Sequence, residues 1–130
     1  MINIELQFKT TKQEQEFYQV DPRVQALLLL ATFTMKKLWA YQAVITSIQR
    51  DKVEQNSLIQ NGVGVQNSPH LDWRAADIRL HDFPQKQHVG VLVDLLNLAF
   101  PRNDGLKVAL AHGEGSNFHL HLQVPKVRRF

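Results

Sequence analysis

Apolar residues at three- and four-residue spacing define the longest patterned stretch of the chain: Val24, Leu27, Leu28, Ala31, Met35 and Leu38 form one stripe of a helix from about Arg23 to Tyr41. Asp21-Pro22 just ahead supplies an N-cap and a proline at the first helical position, where its missing N–H costs nothing. A second stripe, Val89, Leu92, Val93, Leu96 and Phe100, predicts a helix that Pro84 helps to open and that Pro101 and the Asn103-Asp104-Gly105 turn stop.

Elsewhere the period falls to two. Met1 to Phe8 alternates as a strand does, and Ala43 to Ile48 is short and β-branched, running into the polar segment Gln49 to Gln60 and an Asn61-Gly62-Val63-Gly64 turn. In Ala76 to Leu80, alternation puts Asp77 and Arg79 on one face and Ala76, Ile78 and Leu80 on the other. Leu106 to Ala111 and Phe118 to Val124 read as two further strands around a Gly113-Glu114-Gly115-Ser116 loop. In the last strand Phe118, Leu120, Leu122 and Val124 share one face, and His119, His121 and Gln123 share the other. With no repeat, linker or low-complexity segment, the expectation is a single α+β domain over residues 1–130, a small and mainly antiparallel sheet packed on two main helices.

Composition narrows the chemistry. The chain has 130 residues, 44% of them apolar, enough to bury a core without disulfides. It has no cysteine, so thiolate zinc sites and thiol nucleophiles are excluded, and a tightly held metal must use His, Asp or Glu. The formal charge is +3, but the basic residues are scattered, with a small cluster only at Lys126, Arg128 and Arg129; no nucleic acid partner is expected. The longest apolar run, Ala26 to Ala31, is far short of the roughly 20 residues of a membrane helix, so no membrane insertion is expected. The first residues lack a basic leader with an apolar core, which leads to the expectation of a protein made in the cytoplasm without a signal peptide.

Two imidazoles and an amide on one strand face make a plausible cleft wall. If Asp77 faces the same way from a neighbouring strand, His70 in the preceding loop completes a three-ligand set of the kind that leaves zinc one position for water, although manganese and iron accept the same ligand types. The block Ser68-Pro69-His70-Leu71-Asp72-Trp73-Arg74-Ala75-Ala76-Asp77 strengthens this. Ser68, His70, Ala75 and Asp77 at that spacing arise in roughly one shuffled chain in a thousand.

That block resembles Ser-x-His-x-x-Gly-x-Ala-x-Asp, the first zinc motif of the D-alanyl-D-alanine carboxypeptidase and L-alanyl-D-glutamate peptidase family, whose fold is shared with murein endopeptidases and the hedgehog signalling domain. The pair His119-Leu120-His121 is similar to the later motif of the murein endopeptidase and hedgehog branches. The resemblance, which spans about residues 43 to 124, implies a hedgehog/DD-peptidase-like fold. It also implies His70, Asp77 and His121 as zinc ligands, with His119 beside the metal-bound water. Thr46-Ser47-Ile48-Gln49-Arg50 resembles the family's strand-end Ser-x-x-Arg segment, which implies that Arg50 holds a substrate carboxylate or polarises the scissile carbonyl. Asp72, Arg74 and Gln123 are candidates to orient an imidazole.

Two positions depart from the family pattern. Trp73 stands where the motif has glycine, so the loop loses free access to positive φ. Phe118 stands where the carboxypeptidase branch has a catalytic Glu, three residues before the third ligand, and the nearest acid is Glu114 in the glycine-containing loop. The proton carrier is therefore open between His119 and Glu114. The activity implied is zinc-dependent hydrolysis of an amide in a peptidoglycan stem peptide or cross-link, a phage lysis enzyme released to the cell wall through a membrane pore being one setting. Two other readings stand beside it: a zinc-binding structural or interaction module of the same fold without turnover, and a binding domain without metal. His81, His88 and His112 read as structural or surface residues.

Overall fold

A computed structural model describes residues 5–48 and 72–126. The chain runs through β1 (Gln7–Phe8), α1 (Thr11–Phe17), α2 (Pro22–Trp39), β2 (Val44–Ser47), β3 (Ala75–Arg79), α3 (Val89–Ala99), β4 (Ala109–His112) and β5 (His119–Gln123). It is an α+β fold whose five strands form one mixed sheet in the order β1-β2-β3-β5-β4. β1 runs parallel to β2, which requires a crossover, and α1 and α2 together supply it. The pairings β2–β3, β3–β5 and β4–β5 are antiparallel.

Helix α2 starts where Asp21-Pro22 predicts. The Asp21 carboxylate accepts the backbone N–H of Arg23 at 2.9 Å, and Pro22 takes the first helical position. Val24, Leu27, Leu28, Ala31 and Met35 are fully buried against the sheet residues Ile45, Ala76, Ile78, Leu120 and Leu122. Leu38, expected in the same stripe, is 59% exposed, because the helix ends within two residues at Ala40, whose φ of 51° turns the chain away. Helix α3 follows a 3₁₀ turn at Lys86–His88 and buries Val89, Leu92 and Leu96. It packs on α2 and β4. Among the described residues no helix is long and apolar enough to cross a membrane.

Three elements differ from expectation. Helix α1 has no apolar stripe to announce it; its signal is the Thr10-x-x-Gln13 capping box, in which the Thr10 N–H donates to Gln13 Oε1 at 2.7 Å. β4 begins at Ala109 rather than Leu106, because Asp104 accepts the N–H of Leu106 and holds the turn open past it, leaving Leu106 exposed. Of the alternating stretch from Met1 to Phe8, β1 contains Gln7 and Phe8, and residues 1–4 lie outside the described part. The polar segment Gln49 to Gln60 and the Asn61-Gly62-Val63-Gly64 turn also lie outside it.

Candidate metal centre

β3, β5 and β4 lie side by side, and their register brings the polar residues of the sheet together. Asp77 pairs with His121, Arg79 with His119, and His112 with His119. Because alternate residues face opposite ways, Ala76, Ile78, Leu120 and Leu122 enter the core while Asp77, His119, His121 and Gln123 share the other face. Asp77 is nevertheless only 4% exposed, so its carboxylate is shielded from water and depends on its neighbours for compensation.

The hydrogen bonds orient both rings. His119 Nδ1 lies 2.7 Å from the carbonyl oxygen of Asn117, which can only accept. Nδ1 therefore carries the hydrogen, and Nε2 presents its lone pair 3.8 Å from Asp77 Oδ1. On Gln123 the amide nitrogen donates to the Lys107 carbonyl at 3.2 Å, which turns Oε1 toward His121 Nε2 at 3.1 Å. With the amide so oriented His121 Nε2 faces an acceptor, and its Nδ1 faces Asp77 Oδ1 at 2.9 Å. The two atoms are close enough to share one proton or one metal ion.

Asp77, His119 and His121 each offer one atom to a group in which all lie within 4.8 Å of one another. Ligand atoms on a tetrahedral zinc with bonds near 2.0–2.1 Å sit about 3.3 Å apart. The separations of 2.9 and 3.8 Å bracket that value. A carbonyl behind one imidazole and an amide oxygen behind the other match the outer partners that hold metal-binding histidines in one tautomer. The donor set therefore fits a small divalent cation.

The hairpin loop is shaped to serve His119. Gly113 sits at φ 87°, and a Cβ there would meet the Asn117 carbonyl oxygen at 2.2 Å, so glycine allows that carbonyl to lie where His119 needs it. His112, read from sequence as structural or surface, packs edge-on against His119 with ring centroids 5.5 Å apart. Its position two residues beyond Leu110 at the end of β4 is the alternation signal that puts it there.

The sequence-derived residues divide three ways. Asp77, His119 and His121 come together. Glu114 is exposed at the start of the 3₁₀ turn Gly115–Asn117, outside that group, with its backbone carbonyl accepting the Asn117 N–H at 3.0 Å. His70 and Arg50 lie outside the described residues. Gln123 touches an imidazole, whereas Asp72 and Arg74 pair with each other at 3.1 Å and Arg74 reaches the Val124 carbonyl, tying the start of β3 to the end of β5. Trp73 adopts φ 59°, so the position that is glycine in the motif takes the left-handed conformation here in a bulky residue. That conformation costs about 1–2 kcal/mol. It is held by the Asp21 N–H, which donates to the Trp73 carbonyl at 2.9 Å, and by packing of the indole on the core. Comparisons with protein-family models, curated proteins and solved structures found no match to this chain.

Proposed function

We infer that the chain is a zinc-dependent peptidase of the D-alanyl-D-alanine carboxypeptidase and L-alanyl-D-glutamate peptidase type, with a hedgehog/DD-peptidase-like fold and a peptidoglycan stem peptide or cross-link as substrate. The observation that carries this reading is the meeting of His119 and His121 with Asp77, the last residue of the block whose spacing resembles the family's zinc motif. Asp77 and His121 hold the ion together with His70, the ligand that the motif supplies. When bound, zinc lowers the pKa of water to about 7 and polarises the amide carbonyl.

His119 is then the residue placed to move the proton. Its Nε2 is the lone-pair end, directed at the cluster, while the Asn117 carbonyl holds the Nδ1 hydrogen and keeps the ring from rotating. In the overall reaction water adds to the carbonyl carbon, the C–N bond breaks, and His119 passes the proton taken from water to the leaving amine. Such transfer typically contributes about 10² to 10⁴ in rate. Glu114, exposed outside the cluster, is less well placed for this role.

Zinc reconstitution followed by elemental analysis, with peptidoglycan digestion read by mass spectrometry, tests the proposal. About one zinc per chain is expected, lost in Asp77→Ala. His119→Gln should retain zinc and lose fragment release. Absence of zinc from the reconstituted wild type would sink the reading, and zinc without fragments would leave a metal-binding module that lacks turnover.

A further inference from the structure

Helix α3 carries only two polar side chains, Asp94 and Asn97. Asn97 is engaged by the sheet: its amide donates to the Ala109 carbonyl at 2.9 Å and accepts the Ala109 N–H at 3.0 Å. Towards solvent the helix therefore shows one charge, Asp94, and an apolar stripe of Val91, Leu95 and Leu98, which are 54%, 40% and 80% exposed. Helix α2 continues the patch. Trp39 at its end stacks on His88, which precedes α3, with ring centroids 5.8 Å apart, so the last turn of α2 lies beside the first turn of α3. Leu29 and Lys36, seven residues apart on one face of α2, are both exposed, and so is Lys37. α2 contains no acidic residue, and neither lysine has an ion-pair partner among the described residues.

We propose that this outer helical face docks on an anionic lipid bilayer, with Val91, Leu95, Leu98 and Leu29 entering the boundary between headgroups and acyl chains and Lys36 and Lys37 meeting headgroup phosphates. Two features favour a lipid surface over a second copy of the chain. Four partly exposed aliphatic side chains present a few hundred Å², the size of a functional patch but well short of the roughly 800 Å² that each partner brings to a stable protein interface. A symmetric pairing would also gather like charges, Lys36 and Lys37 of both copies, around one apolar seam, whereas an anionic bilayer complements them. The helices cover one side of the sheet and Asp77, His119 and His121 stand on the other, so a docked molecule holds the candidate metal centre away from the lipid. Docking of this kind does not depend on the peptidase reading.

Co-sedimentation of the full-length protein with vesicles tests this, using phosphatidylcholine alone and a mixture of about 3:1 phosphatidylcholine to phosphatidylglycerol. The wild type should bind the mixed vesicles, release them as salt rises, and bind phosphatidylcholine alone about tenfold less well. Leu98→Gln, which removes the most exposed apolar side chain of the stripe, should weaken binding about tenfold, and Lys36→Gln about fivefold. Asp94→Asn, which removes the one acid of the two helices, should strengthen it. Lys9→Gln removes an equal charge next to β1, at the sheet edge opposite the strand on which α3 packs, and should leave binding unchanged. All four positions are exposed, so the variants should keep the wild-type urea midpoint. Absence of wild-type binding to the mixed vesicles overturns the proposal. So does binding that Leu98→Gln leaves intact, or a loss with Lys9→Gln equal to that with Lys36→Gln, which would reduce the effect to net charge. A dimer in sedimentation velocity that Leu98→Gln disperses, without vesicle binding, would assign the face to a second copy instead.

Discussion

On one side of β3 and β5, Ala76, Ile78, Leu120 and Leu122 are wholly buried under the helices. On the other side, one residue along the strand in each case, Asp77 and Gln123 lie within hydrogen-bond distance of His121, and His119 stands 3.8 Å from Asp77. The first face gains from every apolar area removed from water, about 1.5–3 kcal/mol for a fully buried large side chain. The second shields a carboxylate, which is costly unless a cation or donors compensate it. Stability and chemistry are therefore assigned by residue parity within the same strands. They remain joined by register, since a slip of one residue would turn the imidazoles into the core and the leucines out.

The sharpest way to break this comparison is on the apolar side. Leu120→Ala should cost about 2–5 kcal/mol in urea unfolding. The fraction that remains folded should bind zinc with unchanged stoichiometry by elemental analysis. On the polar side, Gln123→Leu removes the acceptor that fixes the His121 tautomer and should weaken zinc about 10- to 100-fold in chelator competition, with little change in the urea midpoint. Movement of both quantities in either variant would show that the faces are not energetically separate.

The smallest effect sharpens the comparison from outside the sheet. Asp21→Ala removes the cap of α2, the helix that covers the apolar face, and should cost about 1 kcal/mol near neutral pH. The side-chain hydrogen bond from Arg23 holds the Asp21 carboxyl below its ordinary value of 3.8, against the opposing effect of burial. Since the folded state binds the proton less readily than the unfolded state, the contribution is present above the ordinary carboxylate range and is lost as pH falls through the depressed value. The stability gap between wild type and variant should therefore narrow below pH 3.8, which urea unfolding across pH would reveal.

What could be read from the sequence follows the same physical divisions. The α2 stripe and its Asp21-Pro22 start were legible because a periodic apolar face and a side-chain cap are local properties. The common face of His119 and His121 was legible because strand alternation leaves no choice. Asp77 was placed on the polar side from its own strand, but its burial and its pairing with His121 depend on which strands become neighbours, a long-range fact. Helix α1 escaped because it offers a capping box and no apolar stripe. The orientation of the His119 ring and the Gln123 amide rests on the Asn117 and Lys107 carbonyls, backbone groups whose positions no residue identity announces.

Asp77 and His121 meet across 44 residues of chain, in a protein without a single cysteine. A cation shared between them would be a removable cross-link, closing a loop whose entropic cost rises only slowly with length. By mass action it would favour the folded chain over the unfolded one, with a strength set by metal concentration. Withdrawal of metal by a chelator would then do to this protein what a reductant does to a disulfide-bonded one: leave every side chain in place and loosen the tie that keeps two distant strands in register.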